Sequence, residues 1–363
     1  MNSVDEKPVE SVDEKPQREV RYEYSDDLGT VLDAANATLT ISTYQAGKLA
    51  IIGSHQKQLS LSLHNYDRPM GVAVSPTMDR MAVAARDKVW FLKNAPQIAP
   101  SVEPKGTHDA CFVTRSAQVT GEIQSHELAW GSDELWVVNT SFSCLCTLDN
   151  NFSFVPRWQP PFISGLASED RCHLNGLAMD DGRPKYVTAM AESDVANGWR
   201  ENKTETGCIL DVESGGVVAR GFAMPHSPRV HMGKLFVLDS GRGALVCVDP
   251  SNGQTNTVAR FPGYARGLAL HGRLAFVGLS KIRETSTFGG VPIAENRERL
   301  KCGVGIVDLT RGELVGQFEF VEGVDEIFDV SVIAGIKLPA MRGPFSLEDG
   351  HAPIWLVPNP KDV

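Results

Sequence analysis

No stretch of this chain is apolar for long enough to cross a bilayer as a helix, which excludes a helical membrane span. Basic residues are in the minority, 35 Lys and Arg against 45 Asp and Glu, and no basic cluster interrupts the net charge of −10. A nucleic acid or an anionic membrane surface is therefore not an expected partner. A phosphate-cradling P-loop, a dinucleotide fingerprint and a nucleophile elbow are all missing, so the usual signatures of nucleotide-dependent and α/β-hydrolase chemistry are absent. Seven cysteines (Cys111, Cys144, Cys146, Cys172, Cys208, Cys247, Cys302) are odd in number and lack framework spacing. The amino terminus lacks the basic flank and apolar stretch of a secretory signal. Together these absences predict reduced thiols and a cytoplasmic protein.

What is present is a repeat. Six related stretches each open a short apolar strand: Met70-Gly71-Val72-Ala73-Val74, His126-Glu127-Leu128-Ala129-Trp130, Asn175-Gly176-Leu177-Ala178-Met179, His226-Ser227-Pro228-Arg229-Val230, Arg266-Gly267-Leu268-Ala269-Leu270 and Phe328-Asp329-Val330-Ser331-Val332. Their second residues, at 71, 127, 176, 227, 267 and 329, are separated by 56, 49, 51, 40 and 62 residues. Units of this length, each holding several strands, are the signature of a β-propeller, and six marks predict six blades. The clearest unit starts at His226, continues through Leu235–Asp239 and Ala244–Asp249, and ends with a strand over about 255–261. Pro228 within its inner strand is tolerable, because that strand's free edge faces the channel and a missing N–H breaks no ladder there.

The last mark has too little strand sequence after it to complete a blade. Three unclaimed strands, 38–43, 48–53 and 59–63, stand before the first mark. The expected fold is all-β, a six-bladed propeller closed by N-terminal strands pairing with the C-terminal inner strand, which removes open sheet edges. Residues 26–363 form this single domain, with a helix over about 26–35, and 353–357 adds to the last blade or wraps outside it. Residues 1–25 are charged and carry the repeat Ser3-Val4-Asp5-Glu6-Lys7-Pro8 and Ser11-Val12-Asp13-Glu14-Lys15-Pro16, so they are expected to be a disordered tail.

In a propeller the starts of the inner strands and the connections from second to third strand lie on one face, around the channel mouth. The strand starts bring Arg68, His126, His173, Asn175, His226, Arg266 and Glu326 there; the second-strand ends bring Asn139, Glu192, Asp239 and Lys281. His126, His173 and His226 are candidate catalytic residues with Glu326, and candidate ligands of a divalent transition metal with Asp239. Two connections are much longer than their counterparts, 191–207 and 280–302, as functional loops tend to be. They carry Arg200, Lys281 and Arg283, which with Arg266 and Asn175 are candidates for gripping a small polar or anionic molecule. A third excursion, from Val155 to His173, is rich in Pro and aromatic residues and is expected to pack Trp158 and Phe162 as a stiff cover.

The runs Glu134-Leu135-Trp136-Val137-Val138-Asn139-Thr140-Ser141-Phe142-Ser143-Cys144-Leu145, Arg171-Cys172-His173-Leu174-Asn175-Gly176-Leu177-Ala178, Met224-Pro225-His226-Ser227-Pro228-Arg229 and Gly278-Leu279-Ser280-Lys281-Ile282-Arg283-Glu284-Thr285 resemble a bacterial propeller family without an established activity, sometimes joined to tetratricopeptide repeats. The resemblance covers nearly all of the chain after residue 25 and implies membership, not a reaction. More distantly, the layout is similar to the six-bladed gluconolactonase and strictosidine-synthase-like propellers. Those use oxygen-rich sites, often Glu with Asn or Asp, whereas histidines dominate here.

Two functions from different classes follow. One is a metal-dependent hydrolase, lyase or isomerase acting on a small polar or anionic substrate. The other is a non-catalytic module whose loops capture a peptide or partner protein, with the histidines structural.

Overall fold

The computed structural model describes residues 19–282 and 289–358. Alternating side chains build six sheets around one channel, each with four antiparallel strands as its blade. Blade 1 comprises Val72–Val74, Arg80–Ala84, Lys88–Asn94 and Ala110–Val119; blade 2, Ser125–Trp130, Leu135–Asn139, Cys144–Thr147 and Val155–Trp158. Blade 3 comprises Leu174–Asp180, Arg183–Ala189, Gly207–Asp211 and Val217–Phe222; blade 4, Pro225–His231, Lys234–Asp239, Ala244–Val248 and Thr255–Arg260. Blade 5 holds Tyr264–His271, Leu274–Ser280, Gly303–Asp308 and Glu313–Glu322. Blade 6 joins the two ends of the chain: inner strand Asp329–Ala334 pairs with Ala37–Ser42, from Ala37↔Ala334 to Ser42↔Asp329, and Lys48–His55 and Gln58–Asn65 follow outward. The expected closure is the one observed.

Each sheet is covered on both faces, so the core is divided into layers between neighbouring blades. Within Lys234–Asp239, Val237 packs towards blade 3 with Ile209, while Phe236 and Leu238 pack towards blade 5 with Leu268 and Val277. This is the period-2 alternation of a strand buried on both sides, and it explains why Leu235 through Asp239 are all buried.

The second residue of each mark sets how closely blades approach. Gly71, Gly176 and Gly267 occupy it in blades 1, 3 and 5, and Glu127, Ser227 and Asp329 in blades 2, 4 and 6. A Cβ on Gly71 would lie 2.8 Å from Glu127 Cα, one on Gly176 3.0 Å from Ser227 N, and one on Gly267 2.5 Å from Val330 N. The blades therefore lock together in pairs, a glycine of one against the backbone of the next.

Two parts of the chain differ from expectation. Arg21–Tyr24 is an ordered outer strand on blade 5, pairing with Phe318–Glu322, and so departs from the tail read over 1–25. Its charged, exposed residues hide the reason: Tyr22 stacks on Phe318 at 5.4 Å and Arg21 pairs with Glu322. Residues 1–18, with both copies of the repeat, lie outside the described residues. At the other end, no strand forms over 353–357; instead Pro339–Arg342 adds in parallel to Ala110–Val119 of blade 1. Ile354 and Leu356 pack outside, on the small core around Ala95, Ala99 and Val102. The helix Leu28–Ala35 buries Leu28 and Leu32, one turn apart, against the blade 5–6 layer. No helix among the described residues is long and apolar enough to cross a membrane.

Candidate functional site at the channel mouth

All six inner-strand starts deliver a side chain into one cavity of about 500 Å³: Met70, His126, His173, His226, Arg266 and Phe328. The second-to-third-strand connections complete it with Tyr44, Ser141 and the Trp199–Arg200 turn. The convergence expected from the repeat is thus present for His126, His173, His226, Arg266, Glu326 and Arg200. Their rings touch. His126 and His173 stand 4.8 Å apart between centroids, edge to face, His126 lies 5.1 Å from Phe328, and His226 lies 5.9 Å from Tyr264.

Each imidazole is held by its Nδ1. That of His173 is 2.9 Å from both Asp170 carboxylate oxygens, and that of His226 is 3.0 Å from the Met224 carbonyl and 2.9 Å from Ser240 Oγ. That of His126 meets the Gln124 carbonyl at 3.3 Å and Thr140 Oγ1 at 2.8 Å, and the Thr140 hydroxyl itself donates to the Leu174 carbonyl at 2.5 Å. Carbonyls and carboxylates only accept, so the proton sits on Nδ1 in all three rings. Among the described residues no hydrogen bond engages any of the three Nε2 atoms; every one of these rings is tied at Nδ1 alone. Burial, joined for His126 by His173, Arg266 and His226, and for His226 by Arg266 and His173, pushes the pKa of both rings well below the ordinary value. They are neutral acceptors. Long-range ¹H–¹⁵N spectra are expected to show Nδ1–H tautomers for His126, His173 and His226, with His126 and His226 titrating well below an ordinary imidazole.

Asp170 was not singled out by sequence reasoning, although it lies three residues before His173. Both residues adopt the left-handed region, Asp170 at φ 48° and His173 at φ 50°, a conformation L-residues hold only when surroundings impose it. The constraint comes from the long loop above: Trp199, buried in the turn Gly198–Arg200, donates its Nε1–H to Asp170 at 3.0 Å and lies 4.3 Å from the His173 ring. Arg200 caps that indole at 4.7 Å and reaches the rim. Arg266 is buried over the Phe328 ring at 3.5 Å, with Glu326 3.4 Å from its guanidinium. The second long loop packs Val291, Ile293 and Ile282 on Trp199, Met224 and Tyr264, so the two covers meet through an apolar rim.

Other expected residues stand elsewhere. Asp239 does not line the cavity: its carboxylate accepts the Ala223 N–H and the Arg242 guanidinium, each at 2.8 Å, and secures the turn that ends its strand. Asn175 is buried with its Oδ1 accepting from Thr188 at 2.6 Å; the left-handed His173 breaks the alternation that would have aligned the two. Lys281 pairs with Asp325 at 3.7 Å and is not part of the lining. Arg283 lies outside the described residues. Trp158 and Phe162 pack on the blade 2–3 layer, as a cover should. Cys172 is buried, and burial pushes its thiol up to about 12, so it is no nucleophile.

Further along the inner strands lies a charge cluster that sequence reasoning missed. Glu127, from blade 2, is buried and paired with Arg229 of blade 4, while its other oxygen accepts the Leu177 N–H of blade 3 at 3.0 Å. Asp329 of blade 6 accepts the Val72 N–H of blade 1 at 2.8 Å. Burial, only partly opposed by Arg229, raises Glu127 to about 7 and Asp329 to about 6. The signal was in the marks: carboxylates stand at positions where alternate blades carry glycine.

Fold and cavity define a six-bladed β-propeller with an imidazole-rich pocket at one channel mouth. The chain belongs to the family described as Domain of unknown function (DUF4915), whose profile matches residues 26–341. Among solved structures similar in fold is a chain of the crystal structure of a nidogen/laminin complex, with a TM-score of 0.55 at 10% identity, covering 82% of this chain and 99% of that one. That likeness shows the fold alone. No curated protein matches the sequence.

Proposed function

We propose that the channel-mouth cavity binds a small hydroxylated molecule bearing an anionic group, and that His173, oriented by Asp170, takes a proton from it. The observation that carries this reading is the set of three Nδ1-tied imidazoles sharing one cavity with a buried guanidinium. Neutral Nε2 atoms accept hydrogen bonds from hydroxyl groups, Arg266 and Arg200 supply donors for a carboxylate or phosphate, and Trp199 and Phe328 offer apolar faces. A carboxylate behind an imidazole stabilises the imidazolium formed when the ring takes a proton, the arrangement of a general base. Hydrolysis, elimination and isomerisation all begin with such a step.

Two other readings are separated by the same material. The tautomers would suit a divalent transition metal at His126, His173 and His226. Against it, no group of three His, Cys, Asp or Glu side chains among the described residues is arranged to hold a metal ion, and Arg266 would repel a dication. A peptide-capturing module would use the rim formed by the long loops and leave His173 without a task.

The test is a thermal-shift and calorimetric screen of sugar acids, hydroxy acids and phosphorylated small molecules, with metal analysis of the purified chain. A bound acid should lose on the order of tenfold to a hundredfold in affinity in Arg266→Gln, as for lost charge-assisted hydrogen bonds. Asp170→Asn should retain binding and lose turnover by about a hundredfold or more. Affinity indifferent to Arg266→Gln, or a stoichiometric metal lost in a His126→Ala/His226→Ala variant, would overturn the reading.

A further inference from the structure

Away from the channel, residues 95–109 and the chain after the last inner strand close over the outer strands of blades 1 and 6. They enclose a second cavity of about 190 Å³, lined by Ser60, Ser62, His64, His108, Arg342 and His351 among others. Ser62 and His64 stand two apart on Gln58–Asn65, hence on one side of that strand. Ser62 Oγ is 3.0 Å from His64 Nε2. On the far side of the ring, Asp349 Oδ2 lies 3.6 Å from His64 Nδ1; both atoms are buried and neither has a hydrogen-bond partner. Asp349 is itself fixed, because its Oδ1 accepts the Asn65 backbone N–H at 2.9 Å and the Asn65 side-chain amide at 2.7 Å. The carboxylate therefore faces Nδ1, the proton belongs there, and Nε2 presents its lone pair to the serine hydroxyl. Arg342, also in the lining, has a buried Nε–H with no acceptor.

We propose that Ser62 and His64 are the nucleophile and base of a second, acyl-transferring site, with Asp349 as positioning residue and Arg342 as oxyanion donor. This goes beyond the channel-mouth pocket and shares no residue with it. In the first step Ser62 Oγ bonds to the carbonyl carbon of an ester, its proton passes to His64 Nε2, and the carbonyl oxygen takes the electron pair facing Arg342. Collapse of this intermediate breaks the carbon–oxygen bond of the leaving alcohol, which receives the proton from His64. Water then attacks the acyl-serine, gives its proton to His64, and the carboxylic acid leaves as Ser62 Oγ regains a proton. At about 190 Å³ the cavity is smaller than most ligand pockets, which favours esters of short-chain acids. The Nδ1–Oδ2 separation exceeds a hydrogen bond, as catalytic contacts often do before substrate binds.

The full chain, treated with a fluorophosphonate probe and digested, should carry the adduct on Ser62, and Ser62→Ala should carry none there. Hydrolysis of p-nitrophenyl acetate should fall by about a hundredfold or more in Ser62→Ala. Asp349→Asn keeps an oxygen for Asn65; it should slow labelling to a similar degree and change the pH profile, with the melting temperature of both variants unchanged. No adduct on Ser62, ester hydrolysis that survives Ser62→Ala, or an Asp349→Asn profile identical to the parent would each overturn the assignment.

Discussion

Replacing Arg229 by leucine is expected to cost the folded chain about 3–5 kcal/mol at pH 8, and considerably less at pH 5. Arg229 is the cation paired with buried Glu127, and its charge also acts on buried Asp329. Without it, two carboxylates from blades 2 and 6 stay in the channel with backbone N–H groups as their nearest compensation. Protonation is their only escape, and acid supplies it.

The parent already leans the same way. Burial raises Glu127 from 4.5 to about 7, and Asp329 from 3.8 to about 6. The folded chain thus holds these protons more tightly than the unfolded chain. Their contribution is complete below the ordinary carboxylate values and is lost as pH rises through about 6 and 7. Urea unfolding at pH 5 and 8 should therefore show these groups favouring the acid side. Glu127→Gln, which imitates the protonated form, should flatten that slope. A pH-independent penalty for Arg229→Leu would mean that the three charges do not act on one another.

Gly267→Ala should be the more damaging of two single-methyl additions made at glycine. At φ 80° the new Cβ meets Val330 N at 2.5 Å and the Asp329 backbone at 2.8 Å, so blades 5 and 6 must part where the two ends of the chain are joined. A left-handed alanine costs about 1–2 kcal/mol, and forcing a close-packed joint adds about 1–3 kcal/mol. Gly165→Ala, which meets nothing within 4 Å, is the control and should be close to neutral. Equal melting temperatures for the two variants would show that the glycine–backbone locks do not hold the blades.

The architecture was legible because its causes are local and repeated. Alternation, turn residues and the six strand starts recur often enough to count blades, and three orphan strands before Met70 required a partner at the other end. The same geometry placed His126, His173, His226 and Arg266 around one mouth. It failed for Asp239, whose turn consumes its carboxylate, and for Asn175, because the left-handed His173 could not be foreseen. Asp170 and Trp199 escaped for a different reason: each matters through the other, across 29 residues and a loop whose path no local pattern specifies. Tyr22 and Arg21 were hidden in a charged segment, since what recruits them is Phe318 and Glu322, some 300 positions away.

By itself, then, the sequence determined the number of blades, their closure and the ring of positions that face the mouth, all consequences of backbone period and turn chemistry. Only the tertiary structure decided which imidazole nitrogen is tied, which carboxylates share Arg229, and that His64 lies between Ser62 and Asp349. Those outcomes depend on side-chain hydrogen bonds and burial set by residues far apart in the chain. Such contacts exist only once the ring has closed.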